Sequence, residues 1–164
     1  MPSSPSQASD PLRPIPGDLY REILATMPVV CVDLLIHHRG EVLLVQRRNE
    51  PARGQWWFPG GRVHKGESLL QTAHRQAYEE VGLRGLRGSL LHVEETRFET
   101  GPFGDPVHTV NLCYAFDAYS SRVTLDDDHA EFMWCSPAQL RADLSLHPYL
   151  HRCLSNAGFR AVAA

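Results

Sequence analysis

Three polar side chains recur at helical spacing in the middle of the chain. Gln76, Glu79 and Glu80 stand at positions i, i+3 and i+4 of a segment with helical periodicity, so their side chains project from one face. Two carboxylates held together in this way repel each other unless a cation lies between them, and such oxygen ligands suit Mg²⁺ or Mn²⁺. Arg75 lies four residues before Glu79 and could instead neutralise part of the charge on a solvated helix face. A metal site and a surface ion pair are both open at this point.

The loop before this helix adds groups of the same chemistry. Pro59-Gly60-Gly61 lets backbone carbonyls and amides approach a ligand with no side chain in the way. Glu67 supplies a third carboxylate at the start of the helix. A glycine turn and three glutamates make a compact set of hard oxygen ligands. A diphosphate bound through a divalent ion is the ligand that such a set favours.

The elements that must position these groups follow from periodicity. Apolar residues at helical spacing predict a helix over residues 68–81, ended by Gly82, which suits the left-handed conformation after a helix. Shorter helices are predicted near residues 18–27, after Ser136-Pro137 and over 148–156. Apolar runs rich in β-branched residues predict strands at residues 29–38, 41–48, 90–99, 107–118 and 130–135. Because strands outnumber helices and do not alternate with them regularly, we expect an α+β fold with a mixed sheet.

Composition limits the function classes that the chain can serve. Its 164 residues carry a formal net charge of −3, so there is no basic field to attract a nucleic-acid partner. No apolar run reaches the roughly eighteen residues that a membrane span requires, so no membrane partner is expected. Residues 1–16 are rich in Ser and Pro and lack an apolar signal core. This predicts a flexible tail, a single domain over residues 17–164 and a cytoplasmic location.

A pattern with fixed spacing joins the glycine loop to the acidic helix. Gly61, five residues, Glu67, seven residues and then the run RQAYEEVGL resembles the Nudix box, G-x5-E-x7-R-E-U-x-E-E-x-G-U, where U is aliphatic. The resemblance implies an α/β/α sandwich, hydrolysis of a nucleoside diphosphate linked to another moiety, and Mg²⁺ held by glutamates of the helix. The match fails once, at Gln76, where the box has a glutamate that often serves as metal ligand or general base. An amide does neither at neutral pH.

Three explanations of Gln76 compete. The chain is a binding module without activity, a diphosphatase with another base, or a member of the subfamily that dispenses with this glutamate. That subfamily is the GDP-mannose mannosyl hydrolases, which break the C–O bond at the anomeric carbon of the sugar instead of a P–O bond. Residues 32–67 are similar to these hydrolases almost throughout. The markers are Asp33, Arg47, the N-x-P-x-x-G-x-W loop of residues 49–56 and the run GGRV at residues 60–63.

The resemblance to this subfamily implies a set of substrate contacts. Asp33 contacts the sugar end of the substrate, Arg62 lies beside the leaving diphosphate, and Arg47 approaches a phosphate or the nucleotide. Asp33 and Arg62 are therefore also expected to take part in catalysis. The expected substrate is a nucleotide sugar of the GDP-mannose type, and the expected assembly is a homodimer.

The same resemblance implies a metal site. The carbonyl of Gly60 and the carboxylate of Glu80 hold a single Mg²⁺, with Mn²⁺ as the alternative ion. Asp128 stands where the subfamily has a metal-binding amide, and a carboxylate there would also be a ligand. Glu79 is either a further ligand, as in cleavage of a P–O bond, or a support of the site through an ion pair.

The general base is implied by a separate run near the end of the sheet. The sequence DDDHAEFMW at residues 126–134 resembles the catalytic loop of the subfamily, where a histidine is the base, so His129 is the candidate. An ungapped alignment of residues 88–118 puts Thr96 and Asn111 where the subfamily has a histidine and a tyrosine near the diphosphate. Because of these departures, a pyrophosphohydrolase that cleaves a P–O bond and a non-catalytic nucleotide-sugar sensor stay open as alternatives.

Overall fold

A seven-stranded sheet forms the centre of the computed structural model, which describes residues 14–158. Its strands are β1 (Val29–His38), β2 (Glu41–Arg47), β3 (Trp56–Trp57), β4 (Gly60–Arg62), β5 (Arg87–Phe98), β6 (Val107–Asp117) and β7 (His129–Cys135). The helices are α1 (Gly17–Thr26), α2 (Leu69–Val81), α3 (Pro137–Ala142) and α4 (Pro148–Asn156). Most of the tail predicted for residues 1–16, namely residues 1–13, lies outside the described residues, as does the end of the predicted domain after residue 158.

Strand β1 organises the sheet. The strand order is β3-β2-β1-β6-β5, with β4 paired to β1 and β7 paired to β2. β1 runs parallel to β6 over nine consecutive positions, whereas the other described strand pairs are antiparallel. The mixed sheet expected from the sequence is therefore confirmed. On its other edge β1 pairs with β2 at His37 and His38 and with β4 at Cys31, Val32 and Asp33, so the glycine strand lies in the middle of the fold.

Apolar side chains cover both faces of this sheet. Val32 and Leu34 of β1 pack with Ala77 of α2 in one buried cluster. Leu35, which faces the other way, packs with Leu150 of α4 in a second cluster that also includes α3. One helix layer thus covers each face, which is the α/β/α sandwich that the resemblance implied. No described helix has the length and apolar character needed to cross a membrane.

The glycine strand β4 is one of two strands that the sequence did not predict, the other being the two-residue strand β3. Pro59-Gly60-Gly61 was expected to be a turn, yet Gly60 and Gly61 pair with Asp33 and Val32 of β1. Glycine has low strand propensity, and tertiary packing overrides it here. A Cβ atom at Gly60 would lie 2.1 Å from the carbonyl oxygen of Val32, so glycine is required by the close approach of the two strands.

Helix α2 begins at a capping box. The Ser68 side chain accepts a hydrogen bond from the Gln71 backbone amide at 3.1 Å, and the Gln71 side chain accepts one from the Ser68 amide at 2.7 Å. The helix ends at Gly82, whose φ of 71° lies in the left-handed region, as expected. Both ends of the helix are therefore fixed by neighbouring residues, of which the sequence pattern predicted Gly82.

We expect Ser68→Ala to lower the free energy of unfolding by about 1 kcal/mol, because the first turn of α2 loses its side-chain acceptor. Urea denaturation of the purified chain measures this loss. Ser68→Asn is the matched control, since asparagine caps about as well as serine, and it should stay within roughly 0.5 kcal/mol of the parent chain. Equal losses in the two variants would contradict the capping role.

Candidate functional site

A cavity of about 250 Å³ opens over the first half of β1. Its floor is formed by alternate residues of two neighbouring strands, Cys31 and Asp33 of β1 with Thr109 and Asn111 of β6. The walls come from β4, α1, the loop after β2 and the connection between β5 and β6. Seven of the eight predicted site residues line it: Asp33, Arg47, Gly60, Arg62, Glu80, Asp128 and His129.

Glu80 enters the cavity from α2. Its Oε2 atom accepts a hydrogen bond from the Gly60 backbone amide at 2.8 Å, which ties the end of the helix to β4. Burial raises the pKa of Glu80 to about 8 against the lowering effect of this bond, and the negative charge of Asp126 raises it further. A buried carboxylate that lies close to other carboxylates is a position where a cation is favoured.

Gln76 lies one helical turn before Glu80, where the box has a glutamate. With its amide nitrogen turned toward Glu80, Gln76 donates to Glu80 Oε1 at 3.0 Å and accepts from Arg75 Nη1 at 3.0 Å. The amide therefore connects a buried carboxylate to a guanidinium and adds no charge of its own. A glutamate in its place would add a third negative charge next to Glu80 and Asp126.

Arg75 pairs with Glu67 and Glu79, the two glutamates of the box that do not line the cavity. Its Nε and Nη2 atoms donate to the two oxygens of Glu67 at 2.6 and 2.9 Å, and Nη1 donates to Glu79 Oε2 at 3.1 Å. Nη2 also donates to the Arg62 carbonyl at 3.1 Å. The expectation that Glu67 is a metal ligand is not supported by this geometry, because both of its oxygens are already engaged. Glu79, whose side chain is 56% exposed, takes the supporting ion-pair position that was its alternative.

His129 is the first residue of β7 and is buried in the cavity wall. Its Nδ1 atom lies 2.7 Å from Asp126 Oδ1, and its Nε2 atom lies 3.8 Å from Glu80 Oε2. Because a carboxylate only accepts, Asp126 selects the tautomer in which Nδ1 carries the proton and Nε2 has a free lone pair. This is the arrangement that a general base requires.

The loop residues near His129 are tied to the loop after β2. Asp128 Oδ1 accepts from Asn49 Nδ2 at 2.7 Å, and the Asp128 carbonyl accepts from the Arg48 amide at 2.9 Å. Arg47 Nε donates to the Pro51 carbonyl at 2.7 Å. These bonds hold one carboxylate and one guanidinium at the mouth of the same cavity.

Asp33 lies in the floor and is almost fully buried. Its Oδ1 atom accepts from the Trp57 indole at 3.0 Å, and its Oδ2 atom accepts from Asn111 Nδ2 at 2.8 Å and from the Tyr149 hydroxyl at 2.9 Å. Burial raises the pKa of Asp33 although all three donors lower it. A carboxylate has about four acceptor positions, so about one is left for a substrate hydroxyl.

Thr96 and Asn111 had no role in the sequence interpretation. Asn111 belongs to the same floor, and Thr96 of β5 is hydrogen-bonded to it. Thr96 Oγ1 and Thr109 Oγ1 lie 2.6 Å apart, and both contact Asn111 Oδ1, at 2.7 and 2.6 Å. The Asn111 side-chain nitrogen donates in turn to Asp33 Oδ2, so these hydrogen bonds are connected to the Asp33 carboxylate. These residues therefore support a buried carboxylate.

The donor set fits Mg²⁺ that is bound together with a diphosphate. Among residues 14–158, no group of three or more His, Cys, Asp and Glu side chains is close enough to hold a metal ion by itself. Glu80 and Asp128 nevertheless line one cavity with Gly60, and Glu80 is a buried carboxylate of raised pKa. Mg²⁺ is usually bound by one or two carboxylates, several waters and the phosphate oxygens of its substrate. The residues present match this mode of binding and not an all-protein cage.

Two groups of the site were missed by the sequence interpretation. Asp126, which orients His129, was named only within the run DDDHAEFMW, although its spacing of three residues from His129 was a usable signal. Tyr20 and Leu24 of α1 line the cavity more than thirty residues before the box, and no local signal connects them to it.

Comparison with known proteins gives a consistent result. The family model described as the NUDIX domain matches residues 26–155. The low-salt glycan biosynthesis protein Agl8 of Haloferax volcanii is 40% identical over 153 residues, which cover 91% of this chain and 94% of that protein. ADP-ribose pyrophosphatase of Methanocaldococcus jannaschii is 32% identical, over 70% of this chain and 65% of that protein. A MutT NUDIX hydrolase structure from Burkholderia pseudomallei aligns with a TM-score of 0.67 and 26% identity, covering 79% of this chain and 98% of that one.

Glu67→Gln should destabilise the fold in a pH-dependent way. The hydrogen bonds from Arg75 hold the pKa of Glu67 at about 2, below the ordinary value of 4.5. Because the folded pKa lies below the unfolded one, the stabilisation is complete above about pH 5 and is lost as the pH falls toward 2. We expect a loss of about 2 kcal/mol in the free energy of unfolding at neutral pH.

Denaturant titrations of the parent chain and Glu67→Gln at several pH values test this expectation. The stability difference should shrink as the pH falls. Glu131→Gln, at an exposed position of β7, is the matched control and should change stability little at any pH. A difference between parent and Glu67→Gln that stays constant with pH would contradict the assignment.

Proposed function

The chain belongs to the NUDIX family of hydrolases, and from this we propose that it is a Mg²⁺-dependent hydrolase of nucleoside diphosphate sugars. The proposed reaction breaks the C–O bond at the anomeric carbon and releases the sugar and a nucleoside diphosphate. The observation that carries this proposal is the pair of His129 and Asp126, which places an imidazole Nε2 next to Glu80 in the cavity. Gln76, at the position where the family often has its base, carries an amide that cannot accept a proton.

The cavity has the charge pattern that a diphosphate leaving group requires. Arg47 and Arg62 line it beside Gly60, so two guanidinium groups face the position of the phosphates. When bound, Mg²⁺ held by Glu80, Asp128 and the Gly60 carbonyl would withdraw negative charge from the diphosphate. The guanidinium of Arg62 stabilises the charge that develops on the departing oxygen.

His129 supplies the proton acceptor for water. Its Nε2 atom takes a proton from the attacking water, and the carboxylate of Asp126 stabilises the imidazolium that forms. Water attacks the anomeric carbon on the face opposite the diphosphate, so the sugar is released with inverted configuration. Asp33, at the floor, offers its remaining acceptor position to a sugar hydroxyl. Every residue in this scheme belongs to one chain, so the proposal does not depend on the expected homodimer.

The relatives support a sugar-linked substrate but differ in what their names describe. The Haloferax volcanii protein is named for glycan biosynthesis. The Methanocaldococcus jannaschii protein is named as an ADP-ribose pyrophosphatase, which favours cleavage of a P–O bond as the second candidate reaction. In that alternative, water attacks phosphorus and the products are a nucleoside monophosphate and a sugar phosphate.

Hydrolysis in ¹⁸O-labelled water separates the two reactions. A panel of nucleotide sugars is incubated with the protein and Mg²⁺, and the products are identified by mass spectrometry. We expect free sugar that carries the label, together with an unlabelled nucleoside diphosphate. Label on a phosphate group would establish the P–O reaction instead. Tight binding of a nucleotide sugar without turnover would identify a sensor.

His129→Ala should lower kcat by about 10²- to 10⁴-fold with little change in KM, because the general base is lost while the binding groups remain. Steady-state kinetics on the most active nucleotide sugar measures this effect. His151→Ala, which removes an imidazole from α4 outside the cavity lining, is the matched control and should keep full activity. Full activity of His129→Ala would show that the base lies elsewhere.

A further inference from the structure

Two arginines, Arg62 of β4 and Arg75 of α2, have opposite surroundings. Arg75 is surrounded by carboxylates, since its donors are taken up by Glu67 and Glu79. Arg62 lines the cavity, and in the described part of the chain no carboxylate pairs with its guanidinium. Its Nε atom is buried and has no hydrogen-bond partner there. Arg62 therefore keeps its full positive charge and its in-plane donors.

Arg62 contacts an aromatic ring, whereas Arg75 contacts carboxylates. The Cζ atom of Arg62 lies 4.7 Å from the centroid of the Tyr20 ring, which α1 brings to the cavity. The Tyr20 ring also meets Phe103 of the β5–β6 connection edge to face, with centroids 6.0 Å apart. Arg21 Nε donates to Asp105 Oδ2 of the same connection at 3.0 Å. These contacts hold Tyr20 in place, although α1 buries none of its residues.

The geometry of this contact explains why a ring is useful there. A cation–π interaction engages the flat face of a guanidinium, whereas a carboxylate engages its edge and neutralises its charge. A guanidinium held by its face retains edge donors that can bind phosphate oxygens in pairs. Holding a long side chain in one position also reduces the entropy that is lost when it binds a ligand.

We propose that Tyr20 is a positioning residue, which holds the guanidinium of Arg62 for the diphosphate while leaving its edge and its charge free. The proposal rests on the function proposed above, in which Arg62 contacts the diphosphate. It extends the site to Tyr20 of α1, which lies outside the Nudix box and outside the residues that the family model matches. Tyr20 acts through Arg62 and has no chemical role of its own.

The test measures binding of inorganic pyrophosphate in the presence of Mg²⁺ by isothermal titration calorimetry. We expect Tyr20→Leu to weaken binding about tenfold, the effect of a partly desolvated cation–π contact. Tyr20→Phe keeps the ring and should stay within about twofold of the parent chain. Tyr119→Leu is the matched control, because it removes an exposed ring that contacts Arg87 at 5.7 Å, and it should leave binding unchanged.

A double-mutant cycle with Arg62→Ala decides whether Tyr20 acts through Arg62. We expect Tyr20→Leu to weaken binding no further once Arg62 is absent. The same tenfold loss in both backgrounds would overturn the proposal, as would a loss in Tyr20→Phe equal to that in Tyr20→Leu. Thermal unfolding of each variant verifies that it is folded. If the parent chain binds no pyrophosphate, both the proposed function and the role of Tyr20 are wrong. If it binds pyrophosphate but the cycle shows no coupling between Tyr20 and Arg62, only the role of Tyr20 is wrong.

Discussion

The contact between helix α2 and the two glycines of β4 is the constraint on which the candidate site depends. The backbone amide of Gly60 donates to Glu80, and a Cβ atom at Gly61 would lie 2.4 Å from the side-chain amide of Gln76. On its other side, Gly60 lies against the Val32 carbonyl of β1. The strands β1 and β4 and the helix α2 can approach each other this closely because Gly60 and Gly61 have no side chains. The buried carboxylate of Glu80 thereby reaches a cavity that opens on the far side of β4.

Local patterns in the sequence predicted several of the elements that carry the site, although not β4. The period of α2 and its Gly82 end are properties of neighbouring residues, and the structure confirms both of them. The same holds for β1, whose apolar run predicts its observed bounds. The resemblance did not indicate most of the residues that line the cavity, but seven of the eight site residues that it implied lie there. Their chemical roles stay predictions.

The contacts that the sequence could not predict join distant parts of the chain. The sequence cannot show whether Glu67 binds a metal or Arg75, because a glutamate can do either. The outcome depends on β4, which places the Arg62 carbonyl where it also accepts a hydrogen bond from Arg75. The strand character of Gly60 comes from β1, and the contribution of Tyr20 comes from a helix that contacts Arg62 of β4 from more than forty residues earlier in the chain. The hydrogen-bonded chain from Thr96 to Asp33 likewise crosses three strands. None of these relations is a property of neighbouring residues.

The parallel pairing of β1 with β6 has a consequence for how the protein forms. Paired residues of these strands are 80 positions apart, as in Val29 and Thr109, so a long loop must close before the central ladder exists. High contact order of this kind slows folding, whereas α2 is a local element that can form early. During synthesis β1 therefore emerges long before its partner and waits with an unpaired apolar edge, a state prone to misassociation. The floor of the cavity is complete only after β6 has joined, so the ability to bind ligand is acquired late in folding.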